Sequence, residues 1–521
     1  MRDMTPSRPH RLTVIAFGST LLLNSISTPP SRAQDEPPRS LDPRLKIELF
    51  VENPQLATPT GIDVDHAGRV WVIESNTHFP PEGYKGHPTD RVLVMEDADT
   101  DGKGRDHKAD KITVFKDGLT HTMSIAVKPV WLNLPLRSGG RKPPELAPDS
   151  NQSRDPKSDA NSGGLRPPLR EDKSLDVFIA TRREILLCTD TDGDLKCDET
   201  KRLVHLETKG NYPHNGLAGF AFDALGNMFF GFGENLGADY KLIGSDGITL
   251  SGGGEGGNVY RCRPDGSELV RWATGFWNPH ASCFDAFGRL FTLDNDPDSR
   301  PPCRLLHIIP GGDYGYKFRN GRKGTHPFTS WNGEIPGTLP MVSGTGEAPS
   351  GIICYESDGF PEDYLGTLLV GSWGDHRIDK FVLKPRGASF ESMPQPVIKG
   401  GENFRPVGLA LAPDGSLYVT DWVLKDYKLH GKGRVWRVSA KEEPKRVVVD
   451  AMKLDRPTNP LELRERLSAK RLDIRRIAAN QAAKVPESMA TMEKLLSDNT
   501  LDRRAFEEGV RFVGTDRKSV V

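Results

Sequence analysis

The sequence has no surplus of charge of either sign: 70 Lys and Arg stand against 71 Asp and Glu. A basic footprint for nucleic acid and a polybasic patch for an anionic membrane are both missing. Beyond its first thirty residues the chain lacks any apolar run long enough to span a bilayer. It has only six cysteines in 521 residues. None forms a Cys-x-x-Cys-His attachment site, so haem is not expected in this chain. Aromatic residues are modest at 8%, which still serves a repeat fold whose units each bury one layer. What the chain holds in quantity is glycine (53) and proline (41). That composition suits many short strands joined by tight turns, and the length suggests two or three structural units.

The N-terminus reads as a targeting segment. Arg2, Arg8 and Arg11 form a basic head, Leu12 to Ile26 is apolar but short, and Pro29 and Pro30 end the run. Ser31-Arg32-Ala33 offers the small residues a signal peptidase reads, so residues 1–33 are expected to be removed and the mature chain to be periplasmic or secreted. Six cysteines in an exported chain permit disulfides. Cys188 and Cys197, which bracket an acidic loop, are the best pair. The other four read as buried thiols.

Internal repetition decides the fold class. A strand, an Asp-x-x-Gly turn and a second strand recur as PTGIDVDHAGRVWVIE, HNGLAGFAFDALGNMFFGFGE, WNPHASCFDAFGRLFTLDND and, with a variant turn, RPVGLALAPDGSLYVTDW. Two looser versions, GLTHTMSIAV with DVFIATRREILLC and APSGIICYESDGFPEDYLGTLLVGSW, fill the gaps. The alternation has period two, and the count predicts an all-β, six-bladed β-propeller over residues 34–440. Lys46 to Glu52 is expected to pair with Gly433 to Val438 and close the ring, which removes exposed sheet edges. Residues 137–173, rich in Pro, Ser, Gly and charge, read as a disordered hairpin insertion. Asn459-Pro460 is a helix start. Leu463, Leu467, Leu472, Ile477 and Ala478 then follow helical spacing, which predicts the first helices of a HEAT-like array over 457–513. Residues 514–521 leave that spacing and read as a non-native tail. A string resembling a sequencing-adapter read can encode Asp516 to Val521, so the array is expected to be truncated.

Several groups carry chemistry. Asp190, Asp192 and Asp194 place carboxylates at alternate positions around a glycine turn, with Asp198 beyond, as a calcium ion requires. Asp97, Asp99 and Asp101 make a looser version. His214-Asn215-Gly216 opens a blade near the central channel, where a neutral imidazole could accept a proton. On spacing alone, a histidine satisfied by a neighbouring loop is the stronger reading. Asp294, Asp296, Pro297 and Asp298 form an acidic run at the same face that calls for a cation or an arginine. Trp277, Asn278, Trp373, Arg377, Arg405, Asp421 and Trp422 stand at equivalent blade ends, where arginine and tryptophan suit a planar anionic ligand. Gly252 to Gly257 (GGGEGG) has no Lys-Ser/Thr after it and reads as a flexible turn.

The blade order and the run LDNDPDSRPPCRLLHIIPGGDYGY resemble the glucose/sorbosone dehydrogenase family, which uses pyrroloquinoline quinone (PQQ). The resemblance implies His214 as catalytic base and Asp294-Asn295-Asp296-Pro297 in place of that family's calcium-holding stretch. It also sets Asn215, Trp277, Asn278 and Arg405 at places of that family's cofactor contacts, with Trp277 where the family has an arginine, and the blade-end residues Trp373, Arg377 and Asp421 are expected beside them. Phrases such as GLTHTMSIAVKPVWL, FIATRREILL and DTDGD resemble exported planctomycete-type proteins labelled membrane-bound dehydrogenases. These continue into helical repeats and often a cytochrome c module. The expected function is oxidation of a sugar or alcohol, with electrons passing to a cytochrome. The alternative is a calcium-stabilised propeller that binds glycans or a protein partner.

Overall fold

The computed structural model describes residues 36–100, 106–132, 174–212, 214–442, 448–454, 457, 459–482, 486–497 and 501–516. The expected leader, the insertion at 137–173 and the last five residues lie outside these. Six sheets, antiparallel but for the pair Val270–Phe276 with Gly312–Asp313, stand around one axis. Their inner strands are Pro59–Val64, Thr122–Val127, Leu217–Phe222, Pro279–Phe284, Pro349–Cys354 and Pro406–Leu411, which open blades 1 to 6 in chain order. Each inner strand comes from one of the six recurring phrases, so the repeat was legible as written. The two strands flanking residues 137–173, Thr122–Val127 and Leu175–Thr181, pair antiparallel as expected.

Closure also follows the expectation. Leu45–Glu52 forms the outer strand of blade 6, with Leu45 opposite Ala440 and Glu52 opposite Arg434. Three blades exceed four strands. Gly312–Asp313 adds to the outer edge of blade 3. Arg39–Ser40 adds to the rim of blade 5. The hairpin Tyr240–Gly244 and Thr249–Gly252 leaves blade 3 after its second strand and joins the outer edge of blade 2.

The core lies between neighbouring blades. Trp71, Ile73, Val92 and Val94 of blade 1 pack on Ile125, Val127, Val177 and Ile179 of blade 2. Close approach of inner strands demands glycine: at Gly219 φ is +74°, and a β-carbon would lie 2.7 Å from the His280 carbonyl oxygen. The bottom turns share one device. Asp65, Asp223 and Asp285 each accept two backbone N–H groups of their own turn, while Gly68, Gly226 and Gly288 take positive φ.

The top face has a second repeated device, which sequence reading took for ligand binding. In blades 1, 4 and 6 the second strand ends on a buried acid: Glu74, Asp294 and Asp421. Opposite each on one side is the proline that starts the inner strand, and on the other an arginine that starts the third: Arg91, Arg304 and Arg434. The carboxylate also accepts backbone N–H from the chain arriving at the inner strand: Ala57 at 2.9 Å, Trp277 and Asn278 at 3.0 and 2.7 Å, and Arg405 at 2.8 Å. Proline has no N–H to leave unpaired at that position.

Below the ring sit four helices: α1 Pro460–Leu467, α2 Leu472–Ala482, α3 Pro486–Ser497 and α4 Arg503–Asp516. Asn459 caps α1 through the Glu462 N–H, with Pro460 at the first helical position, as expected. Leu463, Leu467, Ile477 and Ala478 are buried. The helices dock under blades 2, 4 and 5. Arg475 donates to Glu356 at 2.9 Å, Arg511 to the Ala286 carbonyl at 3.0 Å, and the Arg476 guanidinium lies 4.5 Å from the Trp131 ring centre.

Arg304→Ala should lower the unfolding free energy by about 3–5 kcal/mol, because it strands a fully buried carboxylate. Truncating Arg44, whose partner Asp363 is half exposed, should cost no more than about 1 kcal/mol. Urea denaturation of the two variants measures the difference.

Candidate functional site

The top face gathers the loops that follow second and fourth strands. His214 sits there among rings: Tyr427 at 4.8 Å, His78 at 5.1 Å, Phe79 at 5.4 Å and Tyr212 at 5.7 Å between centres. The ring chain runs on in both directions. Tyr427 stacks on Trp373 at 5.2 Å with planes 9° apart, and the Arg405 guanidinium lies 4.5 Å from the Trp373 ring centre. Tyr212 meets Trp277, over which Arg322 lies at 5.4 Å. His214, Trp277, Trp373 and Arg405 therefore share one mouth. Tyr212, Tyr427, His78, Phe79, Arg182 and Arg322 belong to it as well and were missed. Their only sequence signal was a place in the loops after blade ends.

Burial, with Arg182 beside it, holds the His214 imidazole below its ordinary pKa. Burial and His214 push His78 down to about 3, and burial with His214 pushes His280 to about 4. His280 lies deeper, in a central channel of about 100 Å³ that Ser124, Ser282 and Ser350 help to line. All three rings are uncharged near neutral pH.

An acidic group borders the mouth. Ligand atoms of Asp296, Cys303 and Glu347 lie within 4.8 Å of one another. Burial raises the pKa of Glu347, and Asp296, Asp375 and Asp298 raise it further. Burial likewise raises Asp296 and pushes the Cys303 thiol to about 12. A cation there would meet the carboxylates rather than a thiolate.

Other expected ligands are used inside the protein. Asp294 is spent on Arg304, 2.5 Å away, and Asp421 on Arg434 and the Trp436 indole. Asn215 is buried and donates to the Glu234 carbonyl; Asn278 donates to that of His214. Arg377 pairs with Asp375 and Asp379, and Arg405 donates to the Trp373 carbonyl. Pro297 is buried, in reach of Gly324. These residues build the walls, and of their side-chain atoms the buried Asn215 Oδ1 and Arg405 Nε have no hydrogen-bond partner among the described residues.

In the acidic loop Asp190, Asp192 and Asp194 come together within 4.8 Å. Asp198 does not join them: it accepts the N–H and hydroxyl of Thr191. Asp97 and Asp99 belong to no such group among the described residues, and Asp97 instead accepts the His107 N–H. Asp101 lies outside the described residues. All six cysteines are free thiols. Cys188 and Cys197 both face the Thr200 hydroxyl, at 3.9 and 3.3 Å, so the expected bridge is not formed.

A family model described as "Domain of unknown function (DUF7133)" matches residues 39–130 and 174–442. No curated protein matches the sequence. Among solved structures, similar chains include an oxidoreductase described as a glucose dehydrogenase from Thermus thermophilus. It is 14% identical, covers 76% of this chain and 99% of its own, and has a TM-score of 0.47. The PQQ-bound aldose sugar dehydrogenase from Streptomyces coelicolor is 14% identical over 76% and 98%, at 0.47. The pyranose dehydrogenase PQQ domain from Coprinopsis cinerea is 13% identical over 78% and 97%, at 0.44. At such identities none of the three lends its activity to this chain.

Folded-state pKa values below that of free imidazole mean that His78 and His280 bind protons less readily than in the unfolded chain. Their contribution to stability is present above about pH 6.5 and is lost as pH falls through that value towards 4. In an NMR titration neither ring should protonate above pH 5.

Proposed function

The chain belongs to the family described as Domain of unknown function (DUF7133), and from its top face we propose that it is a quinoprotein-like dehydrogenase oxidising a sugar or an alcohol. The observation that carries this reading is His214: an uncharged imidazole held at the mouth by Tyr427, Tyr212, Phe79 and His78. A neutral imidazole can take the proton of a substrate hydroxyl. Burial and Arg182 disfavour the protonated ring, while the Asp298 charge favours it. The balance suits a base that accepts a proton and releases it again. Aromatic faces around the ring exclude water and offer the flat apolar contact that sugar rings take.

The donor set fits PQQ, a planar quinone with carboxylates. Trp373, Tyr427 and Trp277 would face its plane, Arg182 and Arg322, which bond Asn211 and Asp298 here, would turn to pair its charge, and Asp296 with Glu347 would hold an accompanying cation. When bound, PQQ supplies the acceptor for the two electrons and the hydrogen that leave the carbinol carbon. Export and a cytochrome as final acceptor complete the proposal; the basic-apolar N-terminal segment supports export. No helix among the described residues is long and apolar enough to cross a membrane.

One observation favours a second reading, a propeller that binds glycans or a protein without oxidising anything. Arg377 and Arg405, two of the expected cation contacts, already have partners inside the protein. Dye reduction by the purified chain with PQQ and calcium, across sugars and alcohols, separates the two. His214→Ala should lower that rate a hundredfold or more, with unchanged thermal unfolding. An unchanged rate leaves the binding reading.

We also read Asp190, Asp192 and Asp194 as a structural calcium site. Calcium should raise the melting temperature of the wild type, because it binds only the folded loop, and should do less for Asp192→Ala. Equal melting with calcium and with a chelator counts against the site.

A further inference from the structure

Apart from the mouth around His214, the molecule has a groove of about 1,070 Å³ on the rim, between the hairpin 240–252 and the outer part of blade 3. That size is at the upper end of small-molecule clefts, which run to ~1,000 Å³. Lys209, Asp239, Tyr240, Glu255, Arg271 and Arg319 stand in its wall. We propose that this groove binds a neutral polyhydroxylated chain, an oligosaccharide, as an extension of the top-face site. The inference rests on the sugar-binding reading of that face and names the class of substrate.

Three features point there. The first is balance of charge. Three carboxylates and four cations share the wall, so a polyanion also meets Asp239 and Glu255 and a polycation meets Lys209, Arg271 and Arg319. Ala238 is the only aliphatic side chain in the lining, and the Tyr240 ring with the methylene stems of the lysines and arginines gives the apolar contact that the C–H faces of a sugar take. What remains favoured is an uncharged molecule rich in hydroxyls, which donates to carboxylates and accepts from guanidinium and ammonium groups.

The second is preorganisation. Glu255 comes from GGGEGG, which is no loose turn. Its carboxylate accepts from the Tyr240 hydroxyl at 2.6 Å and from the Gly253 N–H at 2.6 Å. Tyr240 is 2.7 Å from the Tyr260 hydroxyl, and Arg271 donates to Tyr240 at 3.2 Å and to the Ser251 carbonyl at 2.7 Å. The neighbouring Gly256 N–H donates to Glu234, and Arg319 holds the Gly254 carbonyl. Side chains locked this way lose little freedom when a ligand arrives.

The third is continuity. The segment that lines the groove at Glu207, Thr208 and Lys209 reaches Tyr212 and His214 within a few residues. A second segment lines the groove at Arg319 and the mouth at Arg322. Phe318–Asn320 is a single 3-10 turn, which rises ~2 Å per residue, so about one sugar ring separates the two along this segment. A chain end at His214 could therefore continue into the groove.

The test is calorimetric titration of the full-length protein with glucose and xylose and with maltohexaose, cellohexaose and xylohexaose. At least one hexasaccharide should bind tenfold or more tighter than its monomer. Asp239→Ala and Lys209→Ala, both at exposed positions outside the buried network, should each remove most of that advantage and leave monomer affinity unchanged. His214→Ala should keep it. Length-dependent binding lost in the groove variants supports the groove whether or not the protein oxidises anything. Hexasaccharides no tighter than monomers in all series, or an advantage that survives both groove variants, overturns it. Dye reduction on the same samples reports separately on the dehydrogenase reading.

Discussion

The buried carboxylate at the end of a second strand organises the top face. Asp294 shows why. It receives Arg304 on one side and the arriving backbone of Trp277 and Asn278 on the other, with no exposed atom of its own. A charge so placed is tolerable only when its hydrogen-bonding capacity is filled. The loop that fills it is thereby fixed, and Trp277 is delivered to the mouth. Asp421 does the same for Arg405, and Glu74 for the strand beginning at Pro59. The mouth is precise because three of its loops are pinned from beneath by charge.

This device explains what could and could not be read from the sequence. The blades were legible because each is written locally: alternating apolar residues, a turn acid, a glycine that must take positive φ. The closing pair of strands was legible by elimination, since a ring leaves one edge needing a partner. Asp294 and Asp421 were misread because their true partners are backbone N–H groups, which no residue letter reveals, and arginines on the next strand. The aromatic collar was missed for a related reason. Tyr212 and Tyr427 are more than two hundred residues apart, and nothing local to either says that they meet at His214. Asp190, Asp192 and Asp194 were found because an acidic turn is a local object.

The two polar regions of the top side differ in kind. The mouth is aromatic, with uncharged imidazoles and a rim of carboxylates. The groove is ionic, with one aromatic ring and its charges tied to one another. A ligand spanning both would meet stacking at one end and hydrogen bonding along its length. The hairpin that walls the groove is the one large departure from four-stranded blades. It also covers the outer edge of blade 2 with Leu242 and Leu250, so a stabilising element doubles as a wall.

The closing strand has a consequence for how the molecule is made. Leu45–Glu52 must wait for Arg434–Ala440, nearly four hundred residues later, before blade 6 has its outer edge. Until then five blades can form from neighbouring hairpins, but the ring stays open, with an unpaired edge on each side of the gap. Contacts so distant in sequence slow folding and expose strand edges to other chains. The helices below dock on blades at 286, 356 and 131 and so bridge parts of the ring that lie far from the seam. They can act as a brace only once residues 460–511 have been synthesised. A ribosome-bound chain lacking them would hold its blades as a loose arc, so a chaperone would meet an aggregation-prone intermediate rather than a nearly finished propeller.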